Sequence, residues 1–466
     1  MTLSPPHVIQ QLEAALSSKF GPEGLSRTPE VLADYAADES HSPPAAPQLV
    51  FRPESEEQVS CALALCSELN VPVTPCGART GKSGGCIPAS GGLALGMDRM
   101  DRILEISPAD MTAVVEPGVL TGKLMAAAEL QGLFYPPDPA SLRECTIGGN
   151  IAENAGGPRA FKYGVTRDYV LGLRAVLMDG SILTTGHKSV KGVAGYDLTG
   201  LLVGSEGTLG VVTQATLLLL PLPRAAAAAL LTFRSLDAAA DAVTAILLGG
   251  ALPRTLELMD GTALRSVDGQ GVHFPPDAEA ALLVELDGDD ERQLAEQLEG
   301  LAAHLPEAGC APASMETART SEARERLWEA RRGVSRALRS RARFKASEDI
   351  AVPRSQIPGV IRRIKAIGRE RGIGTAVYGH AGDGNLHVNF LYDEPSQKSA
   401  VEGAIEALMC AALDVGGTIT GEHGVGLTKR AFLPREIGEA GICLHRRLKA
   451  VFDPRGLLNP GKIFGS

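Results

Sequence analysis

Four separated glycine-rich segments constrain this chain of 466 residues more than any other feature of its sequence. They are 77–85 (GARTGKSGG), 136–157, 191–210 and the tail motif NPGKIF at 459–464. Glycine lets a backbone come close to a ligand, and ligand sites are built where several segments converge. The four segments therefore predict a fold in which several loops wrap one long ligand.

Segment 77–85 ends in Gly-Lys-Ser, as an ATP-binding phosphate loop does, but three features argue against ATP. That motif requires a glycine where the chain has Cys76. A phosphate loop also leads into a helix, whereas the residues after 85 are strand-like and broken by glycine and proline. No apolar strand ending in aspartate supplies the second half of an ATP site. What remains is a run of accessible backbone amides, which can cradle a pyrophosphate.

A dinucleotide site of the G-x-G-x-x-G type is equally disfavoured. The motif requires a second glycine two positions after Gly77, and the chain has Arg79 there. A ligand on segment 77–85 is therefore not expected to lie on a Rossmann fold.

The composition limits the class of protein. The length predicts two to four domains, and a net charge of −10 from 45 basic and 55 acidic residues argues against nucleic-acid binding. No apolar run is long enough to span a membrane and no secretory signal pattern begins the chain. We therefore expect a cytoplasmic protein, with attachment to the inner membrane through a partner as the alternative. The eight cysteines lack C-x-x-C spacing, so reduced buried thiols are expected rather than zinc or iron–sulfur ligands.

Local patterns predict the elements around these segments. A helix is expected over 53–70 with Ser55 as its N-cap, followed by a strand at 71–75. Asp179-Gly180 is typical of a tight turn and predicts a hairpin over 173–186. A composition shift at 224 marks the start of a new unit. The other predicted elements are a buried strand within 204–223, a strand and Ala-rich helix within 224–250, helices at 321–340 and 357–372, and a helix in the tail 445–464.

The C-terminal half carries a second constellation. His380 and His387 flank a Gly-Asp-Gly-Asn turn, and Glu422 lies in a second short motif, GEHG. Two imidazoles and a carboxylate suit Zn²⁺, Mn²⁺ or Fe²⁺. A lone histidine more often makes only local hydrogen bonds, but three of the nine histidines lie in these two motifs. His423, next to Glu422, has a reference pKa of about 6.5 and can accept a proton near neutral pH.

Taken together, the quoted motifs resemble those of flavoproteins of the vanillyl-alcohol oxidase / p-cresol methylhydroxylase (PCMH) type. Segment 77–85 is similar to the pattern P-x-G-x-G-T-G-x-S-G-G, and CTIGGNIAENAGG and GYDLTGLLVGSEGTLG are similar to further signatures. Within these flavoproteins the chain resembles the branch of the glycolate oxidase FAD subunit, D-lactate dehydrogenase and D-2-hydroxyglutarate dehydrogenase. The resemblance extends from about 45 to 464.

The resemblance implies an α+β fold. The first part, at 1–223 with its core at about 46–223, is a PCMH-type FAD-binding domain of two subdomains. The second part, at 224–420, is an α/β substrate or cap domain of the FAD-linked oxidase C-terminal type, with an antiparallel sheet. The third part is a segment at 421–466 that returns to the FAD domain.

The resemblance also implies FAD, held non-covalently because the loop lacks the histidine that some relatives link to the flavin. Arg79 stands where the family usually has glycine. With a positive φ the arginine is strained, and with a negative φ its side chain can contact phosphate. The implied FAD-binding residues are Pro75, Gly77, Ala78, Arg79, Thr80, Gly81, Ser83, Gly84, Pro137, Asp138, Thr146, Gly148, Gly149, Asn150, Asn154, Gly156, Gly157, Gly204, Glu206, Gly207, Gly210, Val211 and Asn459.

Three residues are similar to the family's carboxylate-binding segment: Arg331, Ser335 and Lys345. The helix around them is rich in charge, so Arg332 or Arg324 is an alternative to Arg331. The resemblance further implies that Asn389 orients the substrate, that His423 is the general base, and that His380, His387 and Glu422 hold a divalent metal beside the flavin. Trp328, the single tryptophan, is expected in the core.

The resulting prediction is an FAD-dependent dehydrogenase that oxidises a small 2-hydroxy acid, such as glycolate, D-lactate or D-2-hydroxyglutarate, to the 2-oxo acid. Its electrons would pass to an external acceptor: an iron–sulfur subunit, an electron-transfer flavoprotein, a quinone or a cytochrome. A homodimer or a heteromeric complex is expected. The alternatives are a non-redox FAD-dependent transferase of the same fold and a non-catalytic FAD subunit of a larger oxidase.

Overall fold

The computed structural model describes residues 3–465, which divide into two compact units. Unit 1 contains the residues up to 156, residues 165–222 and the residues from 422 onward. Unit 2 contains residues 157–164 and 223–421. No sequence pattern indicated that the short segment 157–164 leaves unit 1.

The helices follow the predicted pattern where their caps and apolar faces are clear. Ser55 caps the helix predicted over 53–70, as expected, by accepting a hydrogen bond from the Gln58 amide, and Val59, Leu63 and Cys66 on the inner face of this helix are buried. No helix within 3–465 has both the length and the apolar character to cross a bilayer. The helices are α1 (Pro6–Phe20), α2 (Pro29–Asp34), α3 (Glu56–Leu69), α4 (Thr121–Glu129), α5 (Ile147–Glu153), α6 (Ala160–Tyr163), α7 (Leu198–Leu202), α8 (Leu236–Leu248), α9 (Gly261–Val267), α10 (Glu291–Glu307), α11 (Ser321–Arg339), α12 (Ile357–Glu370), α13 (Lys398–Leu413) and α14 (Leu433–Phe452).

Unit 1 contains two main sheets. Its strands are β1 (Leu25–Ser26), β2 (Leu49–Phe51), β3 (Val73–Cys76), β4 (Leu93–Gly96), β5 (Ile103–Ser107), β6 (Thr112–Val115), β7 (Leu133–Phe134), β8 (Val170–Val176), β9 (Ile182–Gly186), β10 (Val211–Leu218) and β11 (Leu220–Pro221). One sheet has the order β1-β2-β4-β3, with β4 parallel to both β2 and β3. The other has the order β5-β6-β10-β8-β9 and is antiparallel throughout. The predicted β8–β9 hairpin is confirmed, and Gly180 in its turn has a φ of 85°.

The end of the chain completes the first sheet. Val73 on the edge strand β3 donates its N–H to the Leu457 carbonyl and accepts a bond from the Asn459 N–H. Leu457 and Leu458 are buried in the core formed by α1, α3 and this sheet. The tail is therefore a structural part of unit 1.

Unit 2 is built on a seven-stranded antiparallel sheet. Its strands are β12 (Ala225–Phe233), β13 (Thr255–Asp260), β14 (Ala280–Gly288), β15 (Ser314–Ala318), β16 (Phe344–Ala351), β17 (Gly374–His380) and β18 (Asn385–Tyr392), in the order β15-β12-β14-β13-β17-β18-β16. Helices α9 and α11 pack on it through Leu264, Leu327 and Val334. The predicted α+β class, with an antiparallel sheet in the second unit, is confirmed.

Candidate active site

The loop after β3 presents unpaired backbone amides. None of the N–H groups of residues 78–85 donates a hydrogen bond within residues 3–465, although Ser83 and Gly84 are buried. A Cβ placed on Gly81 would meet nothing within 4 Å, so the backbone there faces open space. Buried amides require acceptors, and consecutive amides form an anion-binding concavity. The loop therefore fits a pyrophosphate, the group that an FAD would place there.

Several residues of the predicted FAD set have protein partners of their own. The Thr146 hydroxyl accepts from the Gly149 N–H at 3.3 Å, and the Asn150 amide donates to the Thr121 hydroxyl at 2.7 Å. The Asn154 side-chain oxygen accepts from the Arg167 N–H at 2.9 Å. These side chains shape the wall around the loop.

Arg79 adopts a φ of 60°, the left-handed region that disfavours residues other than glycine. Its guanidinium carbon lies 4.3 Å from the centroid of the Tyr35 ring, a cation–π contact. Burial and the Asp98 carboxylate raise the pKa of Tyr35 to about 12, so the ring stays neutral. Of the two alternatives for Arg79, the strained backbone with positive φ is the one observed.

Glu206 and Asn459 join distant loops of unit 1. Glu206 accepts from the N–H groups of Val425 and Gly426, each at 2.7 Å. The Asn459 amide donates to the carbonyls of Gly85, at 3.0 Å, and Glu206, at 2.7 Å. Both residues were predicted to bind FAD, and their side chains connect the loop after β3, the turn before β10, the segment at 425–426 and the tail.

A second buried carboxyl, Glu153, lies beside Glu206. Its Oε1 atom is 3.4 Å from the Ser83 hydroxyl, and its Oε2 atom has no hydrogen-bond partner within 3–465. Burial, and then the charge of Glu206, raise the pKa of Glu153 well above its usual value. Burial also raises the pKa of Glu206, although its two backbone N–H donors oppose that shift. Unit 1 therefore holds two neighbouring carboxyl groups close to the loop at 77–85, which we call the amide loop.

The segment carrying Glu422 and His423 runs against the same part of unit 1. A Cβ on Gly424 would lie 2.2 Å from Oε2 of Glu153, and one on Gly426 would lie 2.2 Å from the Ser83 carbonyl oxygen. Both glycines have positive φ, at 84° and 46°. Only glycine fits these two positions. The predicted base, His423, directly precedes Gly424 and is therefore next in the chain to the residues that pack against Glu153 and Ser83.

In unit 2 the β17–β18 hairpin brings the two predicted metal-binding histidines together. The rings of His380 and His387 have centroids 5.3 Å apart, and the nitrogens that could bind a metal lie within 4.8 Å of each other. Glu422, the third predicted ligand, directly follows Gly421, whose N–H donates to the Asp349 carboxylate at 2.7 Å. Two imidazoles suit a divalent transition metal, and the third ligand stays a prediction.

Glu257 on β13 forms ion pairs with one predicted metal ligand and with one predicted substrate-binding residue. Its Oε1 atom lies 2.5 Å from Nδ1 of His380, and its Oε2 atom lies 2.5 Å from Nη2 of Arg331. Burial opposes ionisation, but the charges of Arg331 and His380 outweigh it and lower the pKa of Glu257 to about 2. Glu257 is therefore a buried anion shared by two basic partners.

Arg331 differs from its neighbouring arginines. It is 8% exposed, its guanidinium stacks 4.7 Å from the Tyr378 ring, and its Nε–H has no acceptor within 3–465. Arg332 is exposed and pairs with Glu325, and Arg324 donates to the Ala226 carbonyl. Arg331 is thus the arginine of α11 with a buried donor still available for an anion.

The other predicted residues of unit 2 are also partly engaged. Lys345 donates through Nζ to the hydroxyl of Ser335, at 2.9 Å, and Ser335 lies one helical turn after Arg331. The fully buried Asn389 accepts from the Ser347 hydroxyl at 2.8 Å. The structure therefore brings Ser335 and Lys345 into contact.

Trp328, predicted to lie in the core, is half-buried at the margin of the core of unit 2. It packs from α11 against that core and donates through Nε1 to Glu285 at 3.1 Å.

Sequence reasoning missed three buried carboxyl groups: Glu153, Glu257 and Asp349. For Glu257 a signal exists, because an acidic residue inside the apolar run LELM is expected to be buried only with partners. No spacing pattern identifies those partners.

These features define a flavin-dependent oxidoreductase, and the chain belongs to the family of FAD-linked oxidases. Residues 222–463 match the family of FAD linked oxidases, C-terminal domain, and residues 47–186 match the FAD binding domain. The predicted family and cofactor FAD are thereby confirmed.

Among similar proteins are the glycolate oxidase subunit GlcD of Bacillus subtilis, 42% identical over 98% of this chain and 97% of that protein, and the D-lactate dehydrogenase of Anaerostipes hadrus, 34% identical over 93% of each. The structure of p-cresol methylhydroxylase aligns with a TM-score of 0.82, at 16% identity, over 99% of this chain and 98% of that chain. Alkyldihydroxyacetonephosphate synthase aligns with a TM-score of 0.77, at 18% identity, over 98% of this chain and 86% of that chain. The two structural similarities establish a shared fold.

Proposed function

We propose that the protein oxidises a small 2-hydroxy acid of the glycolate, D-lactate or D-2-hydroxyglutarate class to the 2-oxo acid. The observation that carries this proposal is Arg331, a buried guanidinium with an unpaired Nε–H, in a unit that also holds the His380–His387 pair. A guanidinium binds a planar carboxylate through parallel hydrogen bonds. Full-length similarity to the glycolate oxidase subunit and to D-lactate dehydrogenase supports the substrate class.

The chain's own residues have separate tasks in this proposal. Arg331 and Lys345 hold the substrate carboxylate, with Ser335 fixing the Lys345 ammonium group and Asn389 orienting the substrate. A ring nitrogen of His423 takes the proton of the substrate hydroxyl. FAD, bound non-covalently, supplies the acceptor for the hydride that leaves C2.

The metal in this proposal is held by His380, His387 and Glu422. A divalent cation at these ligands would lower the pKa of a hydroxyl bound to it. Asp349 supports the third ligand, since it fixes the N–H of Gly421, the residue before Glu422.

The electrons then leave the protein. No cysteine within 3–465 forms a disulfide, and the eight cysteines lack the C-x-x-C spacing that is typical of iron–sulfur ligands. We therefore propose an external acceptor: an iron–sulfur subunit, an electron-transfer flavoprotein, a quinone or a cytochrome. We also propose that the protein assembles with that partner or as a homodimer, and that it is peripheral to the inner membrane.

The test is anaerobic reduction of the flavin by a panel of D- and L-2-hydroxy acids. Reduction is measured as the loss of flavin absorbance. One or more acids should bleach the flavin, and removal of the metal by a chelator should prevent it. Bleaching that persists after complete metal removal would exclude the metal's role. A flavin that no 2-hydroxy acid reduces would favour the non-redox transferase or the non-catalytic subunit.

Two matched pairs of variants test the residues. Arg331→Lys should weaken binding of the acid at least tenfold, because charge-assisted hydrogen bonds contribute about 1.5–3 kcal/mol, whereas Arg332→Lys should not. His423→Ala should slow flavin reduction at least about a hundredfold, whereas His445→Ala, an exposed histidine of α14, should not. Wild-type reduction rates in His423→Ala would contradict its role as the base.

A further inference from the structure

We propose that Glu257 is the positioning residue that ties the carboxylate-binding arginine to a metal-binding histidine, a proposal that rests on the function proposed above. Each carboxylate oxygen faces a different partner: Oε1 lies 2.5 Å from His380 and Oε2 lies 2.5 Å from Arg331. Glu257 contacts neither substrate nor flavin in this proposal and acts through these two residues.

The backbone makes this arrangement specific. Glu257 and His380 are directly opposite each other on the antiparallel strands β13 and β17, so their side chains share one face of the sheet. Arg331 reaches the same carboxylate from α11, where Leu327 and Val334 pack on that sheet. The Tyr378 ring, two residues before His380 on β17, supports the guanidinium at 4.7 Å. Strand β17 and helix α11 therefore each place a basic residue against the Glu257 side chain of β13, which has no exposed surface.

The contact with His380 also selects the metal-binding nitrogen. A carboxylate only accepts hydrogen bonds, so Nδ1 of His380 carries the proton shared with Glu257. The lone pair for a metal is then on Nε2. A carboxylate behind a metal-binding histidine fixes its ring and tautomer, and removing such a partner commonly lowers metal affinity 10–100-fold.

The contact with Arg331 fixes the second anchor. In a 2-hydroxy acid the carboxylate and the hydroxyl are on adjacent carbons. The protein groups that bind them must therefore stay at a fixed distance from each other. A single rigid carboxylate that holds both the arginine and the histidine sets that separation. Glu257 thereby favours acids with the hydroxyl at C2 over those with the hydroxyl one carbon further away.

The first test uses Glu257→Gln in the FAD-loaded, metal-stripped protein. An amide has one acceptor oxygen, so it satisfies His380 or Arg331 but not both. We expect either the Kd for Zn²⁺, measured by competition with a fluorescent chelator, or the Kd for the acid that reduces the flavin to rise at least tenfold. Both constants within twofold of wild type would overturn the proposal.

The control is Glu285→Gln. Glu285, on the neighbouring strand β14, is also a buried acidic residue, and it pairs with Arg254 and Arg324 and accepts from Trp328. Its loss should lower stability without changing either Kd. If Glu285→Gln changed both constants as much as Glu257→Gln, the effect would be general to the sheet and the proposal would be wrong.

A measurement on the wild-type protein avoids any folding defect in the variants. The ¹⁵N shifts of the metal-free protein, with the His380 signal assigned by its loss in His380→Gln, should show a protonated Nδ1. An unprotonated Nδ1 would overturn the proposal. The Zn²⁺ and NMR results test Glu257 even if no 2-hydroxy acid reduces the flavin, so failure of the proposed function would be distinguishable from failure of this inference.

Discussion

Glu153→Gln should make the free energy of unfolding of the protein less sensitive to rising pH. Glu153 is a buried carboxyl group whose Oε2 atom has no hydrogen-bond partner within 3–465, and burial and the charge of Glu206 raise its pKa. Above pH 4.5, the ordinary pKa of this group, the unfolded chain has lost the Glu153 proton, whereas the folded protein still holds it. Stability contributed by this proton is complete below pH 4.5 and is lost as the pH rises through the raised pKa.

The magnitude follows from the number of protons. One proton held only by the folded state makes the free energy of unfolding fall by about 1.4 kcal/mol per pH unit within that window. Glutamine has the same shape and no proton to lose, so the variant lacks this slope.

The assay is urea unfolding of the FAD-saturated protein, followed by circular dichroism at a series of pH values from weakly acidic to weakly alkaline. The difference in unfolding free energy between Glu153→Gln and wild type should increase by up to about 1.4 kcal/mol for each pH unit. Glu68→Gln, which removes an exposed carboxylate from α3 of the same unit, should leave the slope unchanged. Parallel curves for Glu153→Gln and wild type would refute the reasoning.

Two further substitutions test the loops of unit 1. Asn459→Ala removes two hydrogen bonds to carbonyls, each contributing about 1 kcal/mol, so the Kd for FAD should rise up to about thirtyfold in a fluorescence titration; a change below twofold would contradict this role. Arg79→Gly relieves the positive φ but loses the contact with Tyr35, whereas Arg79→Ala keeps the strain and loses the contact. The glycine variant should therefore be more stable than the alanine variant by about 1 kcal/mol in urea unfolding, and the reverse order would show that the backbone at 79 is not strained.

The local part of the site could be predicted from the sequence. The amide loop at 77–85 and the His380–His387 pair depend on residues close together in the chain, where glycine and turn chemistry determine the geometry. Spacing therefore argued against an ATP loop at 77–85, and it placed two imidazoles on one hairpin.

The charges that organise the site could not be predicted in this way. Glu257 is 123 residues from His380, and its role depends on which strands become neighbours in the sheet. Asp349 contacts the amide of Gly421, and that contact likewise appears only once the chain is folded. Strand order is a property of the whole unit, and no local pattern encodes it.

The tail of the chain has a consequence for biosynthesis. Residues from 422 onward supply Leu457 and Leu458 to the core of unit 1 and add to the edge of β3, whereas all of unit 2 precedes residue 422. During translation, then, unit 1 begins first but is completed only after all of unit 2 has been made, and the bond from Asn459 to Gly85 forms after that point. We expect chains that are released early to lack a stable flavin cradle.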